Sequence, residues 1–281
     1  MKDISHHANK NNKEMPVKLR SNLIWFGGKA KMAKTIIDLM PEHKTYVEVF
    51  GGGANVLLQK EKKHVEVYND INGDVVNYLM VLRADPDKFY KAAESLPYSR
   101  EIYEKWRKED LPADEFERAV RWFYINRSGI VGGVNGKTGG WRLGATHNTV
   151  GSYRSACELI GPIADRLKET NIEKKDFRTI INRYDHTNTL FYVDPPYIGR
   201  EKQYAGGFNE QDHRDLAQLL NGIKGKAIVS YYPDPLVTEL YGGWHVKEIE
   251  SKVYSKKVQP GENKPDATEL LLFNYSDKGP Q

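Results

Sequence analysis

The sequence has little of several features that define particular classes of protein. Cys157 is the one cysteine among 281 residues, which excludes an intrachain disulfide framework and a cysteine-based zinc site. No run approaches the roughly 18 apolar residues that span a bilayer. The net charge of +4 is too small to identify a nucleic-acid partner by itself. These features predict a soluble globular protein of a reducing, cytoplasmic compartment, with no membrane partner and no metal.

The chain is long enough for one substantial core and a smaller inserted domain, because 39% of its residues are hydrophobic. Its beginning is polar and contains several Asn, His and Lys residues. We therefore expect a disordered leader over residues 1–20.

Apolar runs and turn residues alternate after residue 44 in a βαβα pattern. The pattern consists of a strand at 46–50, a glycine turn at 51–54, a helix at 55–60, a strand at 65–68 and a helix at 74–82. Such alternation predicts a parallel sheet that binds ligands at the carboxyl ends of its strands. Two further buried strands, at 189–193 and 226–231, flank a helical pattern at 210–221. The sheet therefore resumes after a long interruption.

The interruption carries a local excess of positive charge. Between residues 121 and 154 there is no Asp or Glu, and the cations are Arg121, Arg127, Lys137, Arg142 and Arg154. Trp141, His147, Asn148 and Tyr153 are interleaved with them and with glycines. This composition favours a β-ribbon or loop that follows a phosphate backbone and reaches base edges. A surface loop with incidental charge is the alternative.

The segment that follows strand 189–193 is the strongest chemical signal. It consists of Asp194, Pro195, Pro196 and Tyr197. The prolines fix φ and donate no hydrogen bonds, so the Asp194 carboxylate and the Pro195 carbonyl can both accept from one amino group. The Tyr197 ring adds a stacking face, which suits an amino-bearing nucleic-acid base. An ordinary strand-ending turn is the alternative.

The glycine turn is the second signal. Gly51, Gly52 and Gly53 allow a ligand to approach the backbone closely, but they match neither a complete dinucleotide-binding fingerprint nor a phosphate loop. Asp70 ends the next strand, 17 to 19 residues later, where a carboxylate can accept hydrogen bonds from ribose hydroxyls. A nucleoside-containing ligand is therefore indicated. A helix cap or turn is the alternative role of Asp70.

Two further segments pair aromatic and charged residues. Trp25 to Lys29 precedes a helix that ends before Pro41, and a lysine at a helix start opposes the helix dipole. Lys29 is thus expected to serve a carboxylate or another anion, with a solvated lysine as the alternative. Asp176 and Phe177 can hold an adenine by its amino group and its face.

Taken together and in this order, the motifs resemble the Dam-type (D12 class, α-group) DNA adenine-N6 methyltransferases, from Asn22 to Tyr275. The resemblance implies a Rossmann-like, S-adenosylmethionine-dependent methyltransferase sheet with an inserted target-recognition domain, mainly helical with a β-ribbon. It places the catalytic domain at 21–82 and 153–281 and the DNA-binding domain at 83–152.

The resemblance also assigns roles to residues. The implied catalytic residues are Asp194, Pro195, Pro196 and Tyr197. The implied cofactor-binding residues are Trp25, Gly28, Lys29, Phe50, Gly51, Gly52, Gly53, Asp70, Asp176, Phe177 and Asp194. The implied DNA-binding residues are Asn126, Arg127, Lys137 and Arg142.

Two departures from the family pattern affect these expectations. Ala54 stands at the second glycine of the family's Phe-x-Gly-x-Gly, and Val49 stands where proline is common. We expect these departures to alter the detail of the glycine turn rather than to abolish cofactor binding. The insert from Asn126 onward does not reproduce the segment that reads GATC in Dam, so the recognised DNA sequence is not implied.

The resulting hypothesis is methyl transfer from S-adenosylmethionine to an adenine flipped out of double-stranded DNA, by a monomer encoded by a bacterium or phage. A cognate restriction endonuclease is a candidate partner. A methyltransferase that acts on RNA or a protein amide, and an inactive DNA-binding relative, are the alternatives. An NAD-dependent oxidoreductase would explain the glycine turn and Asp70, but it would give the segment from Asp194 to Tyr197 no role. Cytosine-C5 chemistry needs a thiolate, usually after proline, whereas Cys157 follows Ala156.

Overall fold

One seven-stranded sheet forms the centre of the protein. The computed structural model describes residues 19–130, 139–144, 147–252 and 266–276. The strands are β1 (Thr45–Glu48), β2 (Val65–Asn69), β3 (Thr170–Glu173), β4 (Thr189–Val193), β5 (Lys226–Tyr231), β6 (His245–Lys252) and β7 (Asp266–Phe273). Their order in the sheet is β3-β2-β1-β4-β5-β7-β6.

The strand directions confirm the predicted α/β, Rossmann-like fold class. Strands β1 to β5 are parallel, whereas β7 is antiparallel to both β5 and β6. The strand order reverses between β1 and β4, and open α/β sheets bind ligands in the crevice at such a switch point. The carboxyl ends of β1 and β4 are therefore where a site is expected.

Helices cover the sheet. They are α1 (Ala33–Asp38), α2 (Asn55–Gln59), α3 (Gly73–Ala84), α4 (Pro86–Glu94), α5 (Arg100–Lys108), α6 (Glu115–Ser128), α7 (Thr149–Glu158), α8 (Ile160–Leu167), α9 (Phe177–Tyr184), α10 (Glu210–Asn221) and α11 (Pro235–Tyr241). Within the described ranges, none of these helices is both long and apolar enough to cross a bilayer.

Strand β4 is buried on both faces, and this explains its unbroken apolar sequence. Successive side chains of a strand point to opposite faces. Leu190 and Tyr192 accordingly belong to one hydrophobic core, and Phe191 and Val193 belong to the other. A two-faced core on a central parallel strand requires apolar residues at every position. This packing fixes where β4 ends and Asp194 begins.

The helices of the interruption pack on the first of these cores. Tyr78 of α3 stacks on Phe123 of α6 with ring centroids 5.5 Å apart, and Phe89 of α4 packs edge-on against both rings. These residues share one cluster with Tyr46 of β1. The division of the chain at residues 83 and 152 stays a prediction.

The glycine-rich stretch after α6 begins as an antiparallel pairing. Gly129 and Trp141 form a β-bridge, the Ile130 amide donates to Gly140, and the Arg142 amide donates to Ser128 over 2.8 Å. The residues that would complete the predicted ribbon, including Lys137, lie outside the described residues.

Candidate active site

Four segments that are far apart in sequence meet at the carboxyl ends of β1, β2 and β4. They are the segment before α1, the glycine turn after β1, the end of β2 and the segment after β4. Between them lies an open cleft. The predicted residues that line it are Trp25, Gly28, Lys29, Phe50, Gly51, Gly52, Gly53, Asp70, Asp194 and Pro196.

Asp194 presents a carboxylate to this cleft. It accepts a hydrogen bond of 2.8 Å from Lys29 Nζ, and its side chain is 19% exposed. Burial raises the pKa of Asp194 to about 6, although the Lys29 ammonium acts in the opposite direction. At neutral pH the group is therefore ionised and accepts hydrogen bonds.

Lys29 is held between three oxygen atoms. Besides Asp194, Nζ donates to the Gly27 carbonyl over 2.9 Å and lies 3.2 Å from Oε1 of Glu269 on β7. Burial by itself lowers the Lys29 pKa, but Asp194 and Glu269 outweigh it and raise that pKa above its ordinary value. The anions beside Lys29 are thus two carboxylates of the chain itself.

Tyr197 is almost fully buried rather than open to the cleft. Its hydroxyl donates to Glu269, and its ring packs edge-on against Tyr232 with centroids 4.6 Å apart. Lys29 Nζ lies 5.0 Å from the centroid of the Tyr197 ring. Pro195 is buried as well and does not line the cleft, so a contact between its carbonyl and a substrate amine stays a prediction.

The glycine turn needs glycine because two rings lie against it. A Cβ atom on Gly51 would lie 2.1 Å from the Tyr68 ring, and one on Gly52 would lie 2.3 Å from Trp25 Nε1. Gly52 also has a positive φ of 46°, and its carbonyl accepts a hydrogen bond from Tyr68. A side chain at either position would push a ring out of place.

Asp70 ties the glycine turn to the end of β2. One carboxylate oxygen accepts from the Gly52 amide over 2.7 Å, and the other accepts from the Asn72 amide over 2.8 Å. Burial raises the pKa of Asp70, and these two hydrogen bonds act against the increase. Each carboxylate oxygen can accept more than one hydrogen bond, so Asp70 retains capacity for ligand hydroxyls.

Ala54 adopts the left-handed conformation with φ of 54° and ψ of 29°, immediately before α2. It is the one non-glycine residue with positive φ among the described residues. The backbone therefore requires a glycine-like conformation at the position where the family pattern has glycine, and Ala54 adopts it with some strain.

Sequence reasoning missed several residues of the cleft. Glu48 ends β1, where its carboxyl group accepts hydrogen bonds from the Tyr46 hydroxyl and the Leu57 amide, and burial raises its pKa to about 8. A charged residue inside an apolar strand is the signal that could have identified it. The other lining residues without a predicted role are Phe26, Asn55, Val56, Ile71, Asn72, Tyr192, Tyr204 and Ala205.

Asp176 and Phe177 lie beside the cleft rather than in its lining. Phe177 packs against the cleft residue Phe50, with ring centroids 5.8 Å apart. Asp176 caps α9 by accepting a hydrogen bond from the Arg178 amide, and it also pairs with the Arg178 side chain. An adenine-binding role for these two residues stays a prediction.

The structure places the predicted DNA-binding residues in different surroundings. Asn126 is buried and exchanges two hydrogen bonds of 2.9 Å with the backbone of Ile24, which fits a positioning role better than a DNA contact. Arg127 donates to Ser152, and burial lowers its pKa to about 10. Arg142 is partly exposed on the paired segment after α6.

The aromatic and polar residues of the glycine-rich stretch also serve the fold. Tyr153 is buried on α7 and donates to the Ala93 carbonyl, so it belongs to a packed helix rather than to the β-ribbon or loop that the composition favours. Asn148 caps α7, and Trp141 packs on Tyr98 with ring centroids 4.4 Å apart. Residues 149–158 form the helix α7, so this part of the stretch is helical and is not a β-ribbon.

Comparison with known proteins places this geometry in context. The chain matches the family described as D12 class N6 adenine-specific DNA methyltransferase over residues 25–255. It is 25% identical over 264 residues to the Type II methyltransferase M.CviBI of Paramecium bursaria Chlorella virus NC1A, covering 89% of this chain and 98% of the relative. It is 27% identical over 281 residues to a DNA adenine methylase of Vibrio cholerae, covering 91% and 96%.

Proposed function

Because the chain belongs to the D12 class N6 adenine-specific DNA methyltransferase family, we propose that its cleft holds S-adenosylmethionine and that Asp194 binds the amino group of the target adenine. The reaction itself is the transfer of a methyl group to N6 of adenine in DNA. In this proposal the residues of the cleft bind both reactants and orient them for the transfer.

One observation carries the proposal. Ten of the residues to which the family resemblance gives cofactor and catalytic roles come from four separated segments, and these ten line one cleft at the switch point of the sheet. Within it, Lys29 and Asp194 are in direct contact at 2.8 Å.

The cleft suits the proposed cofactor in its chemistry. Asp70 offers a carboxylate for ribose hydroxyls, and the glycine turn offers a backbone surface without side chains. Asp194 offers a negative charge to a positively charged ligand. When bound, S-adenosylmethionine supplies a methyl group on a cationic sulfur atom.

Asp194 acts on the acceptor by hydrogen bonding. The lone pair of adenine N6 is conjugated with the ring, so the amine is a poor nucleophile. The Asp194 carboxylate and the Pro195 carbonyl accept one hydrogen bond each from the two N–H groups of the amine. These hydrogen bonds localise the nitrogen lone pair, which makes it available for attack on the methyl group. Lys29 fixes the orientation of the carboxylate, so the rate gain comes from positioning and electrostatics.

The target base must leave the DNA helix to reach Asp194. The cleft lies between loops at the edge of a sheet, and a base stacked in a duplex cannot enter it. Extrusion costs a few kcal/mol, which contacts with the flipped base and the DNA backbone offset. Tyr232, half-buried against Tyr197, offers an aromatic surface next to the motif.

The experiment is transfer of labelled methyl groups from S-adenosylmethionine to unmethylated genomic DNA, followed by nucleoside analysis. We expect N6-methyladenine, lost in Asp194→Asn and retained in Asp38→Asn, which removes an exposed carboxylate of α1. Cofactor binding without methyl incorporation into DNA would contradict the proposal and direct attention to RNA or protein acceptors.

Further proposals concern the partners. We propose that residues 83–152 bind double-stranded DNA, with Arg142 and Lys137 as candidate contacts.

Because one of the relatives described above is named a Type II methyltransferase, a cognate restriction endonuclease is a further proposed partner. We also propose that the protein is monomeric. Light scattering with and without a DNA duplex measures the stoichiometry, and a dimer in both conditions would refute the last point.

A further inference from the structure

Glu269 is a buried carboxylate that enters the active site from the strand most distant in sequence. It lies on β7, next to Leu270, which pairs with Tyr231 of β5. Its side chain is 7% exposed. Charged side chains are almost never buried to this extent unless they are paired. The burial of the Glu269 side chain is therefore explained by the groups that it contacts.

Those contacts join Glu269 to two residues of the proposed catalytic machinery. Oε1 lies 3.2 Å from Lys29 Nζ, and the same oxygen accepts a hydrogen bond from the Tyr197 hydroxyl. Lys29 in turn bonds Asp194. One largely buried ammonium is thus shared by two carboxylates.

We propose that Glu269 is a positioning residue for methyl transfer, which holds Lys29 and the Tyr197 ring in place beside Asp194. The inference rests on the proposed roles of Asp194 and Tyr197. Glu269 does not line the cleft, so it acts through its neighbours rather than on substrate.

The electrostatic part of this role has a definite sign. A like charge disfavours ionisation, so the Glu269 carboxylate raises the pKa of Asp194, and its removal lowers that pKa. Other groups act on Asp194 as well and remain in a Glu269 variant. They are Lys29, which precedes α1; Glu48 of β1; Tyr192 of β4; Tyr197 and Tyr204, which follow β4; and Tyr231 and Tyr232 at the end of β5.

Glu269→Gln tests the charge with almost no change in volume, because Gln can still accept from Tyr197. We expect kcat to fall about tenfold and the acid limb of the kcat profile to move down by about one pH unit. Glu269→Asp keeps the charge on a shorter stem. It is expected to lower kcat while the acid limb stays where it is in the wild type.

Two controls separate charge from structure. Glu248→Gln makes the same change at an exposed position of β6, the neighbouring strand, and should leave kcat and the profile unchanged. Tyr197→Phe removes the hydroxyl that bonds Glu269 but leaves the charge, so its acid limb should not move down.

A measurement without turnover completes the test. Carboxyl carbon NMR of the free protein, with Asp194 assigned from the Asp194→Asn spectrum, should show a titration midpoint near 6 that falls in Glu269→Gln. An unchanged midpoint and an unchanged kcat would overturn the inference. Absence of N6-methyladenine with the wild-type protein would instead contradict the proposed function. If Glu269→Gln does not fold, wild-type kcat in Glu269→Asp would overturn the positioning role.

Discussion

The ammonium of Lys29 lies 2.8 Å from the carboxylate of Asp194, although 165 positions separate the two residues in the chain. The contact joins the segment before α1 to the motif after β4. It connects a residue with a predicted cofactor-binding role to one with a predicted catalytic role. A substitution at either residue should therefore change the position and the ionisation of the other.

The first prediction concerns the pH dependence of the wild-type protein. In the proposed mechanism Asp194 accepts hydrogen bonds from the substrate amine, which an ionised carboxylate does most strongly, and burial raises the pKa of Asp194 to about 6. We expect kcat to fall as the pH drops through about 6, with a single ionisation. Steady-state methyl transfer between about pH 5 and pH 9 measures it. A rate that is level across this range would show that Asp194 does not need to be ionised.

The second prediction is that Lys29→Met slows methyl transfer about a hundredfold. It leaves Asp194 and Glu269 facing each other without the shared cation. The lysine lowers the Asp194 pKa, so its loss should raise that pKa and move the acid limb to higher pH. Lys34→Met, at an exposed lysine of α1, serves as the control. An acid limb at the wild-type position in Lys29→Met would refute the coupling.

The third prediction separates the two aspartates that follow strands at the sheet edge. Asp194→Ala should reduce kcat by about a thousandfold while the circular dichroism spectrum stays close to wild type. Asp176→Asn keeps an efficient helix cap on α9. It should weaken cofactor binding only if Asp176 contacts the cofactor, which calorimetry measures directly. Retention of more than about a tenth of activity in Asp194→Ala would contradict the catalytic role.

The fourth prediction is that Ala54→Gly stabilises the protein by about 0.5 kcal/mol, because glycine adopts the left-handed conformation without strain. The gain is partly offset by the greater freedom of glycine in the unfolded chain. Ala164→Gly in α8 is the matched control and should destabilise by about 1 kcal/mol. Urea unfolding compares the two. Equal destabilisation by both substitutions would show that Ala54 is not strained.

The fifth prediction concerns the partly exposed Arg142. Its replacement by Ala should weaken DNA binding and reduce the slope of log K against log salt by about one, as expected for the loss of one phosphate contact. Lys34→Ala, outside the insert, is the control. Fluorescence anisotropy over a range of salt concentrations gives both slopes. Identical slopes would place Arg142 away from the DNA.

Several features were accessible from local sequence patterns. Strands β1, β2, β4 and β5 are largely apolar runs that end at turn residues, and the proposed catalytic motif begins where β4 ends, at Asp194. The glycine turn at Gly51 to Gly53 is recognisable from its place between β1 and α2. These signals are readable because they depend on neighbours along the chain.

Other features depend on contacts between distant residues. Asn126 has a polar side chain in a basic stretch, and only its two hydrogen bonds with Ile24 show that it is buried. Tyr153 stands among glycines and cations, and only the packing of α7 places it in the core. Composition predicts a surface for both, because burial is decided by which elements pack together.

By itself, the sequence determined the α/β class, the order of the motifs and which residues lie at the carboxyl ends of the apolar parallel strands, because strand period and apolar runs are local properties. Only the tertiary structure decided that Lys29 pairs with Asp194 and that Glu269 joins them from β7. The insertion of β7 between β5 and β6 brings that carboxylate to the site. Sheet order results from the packing of the whole chain, so no local pattern reveals which buried charges will share one cation.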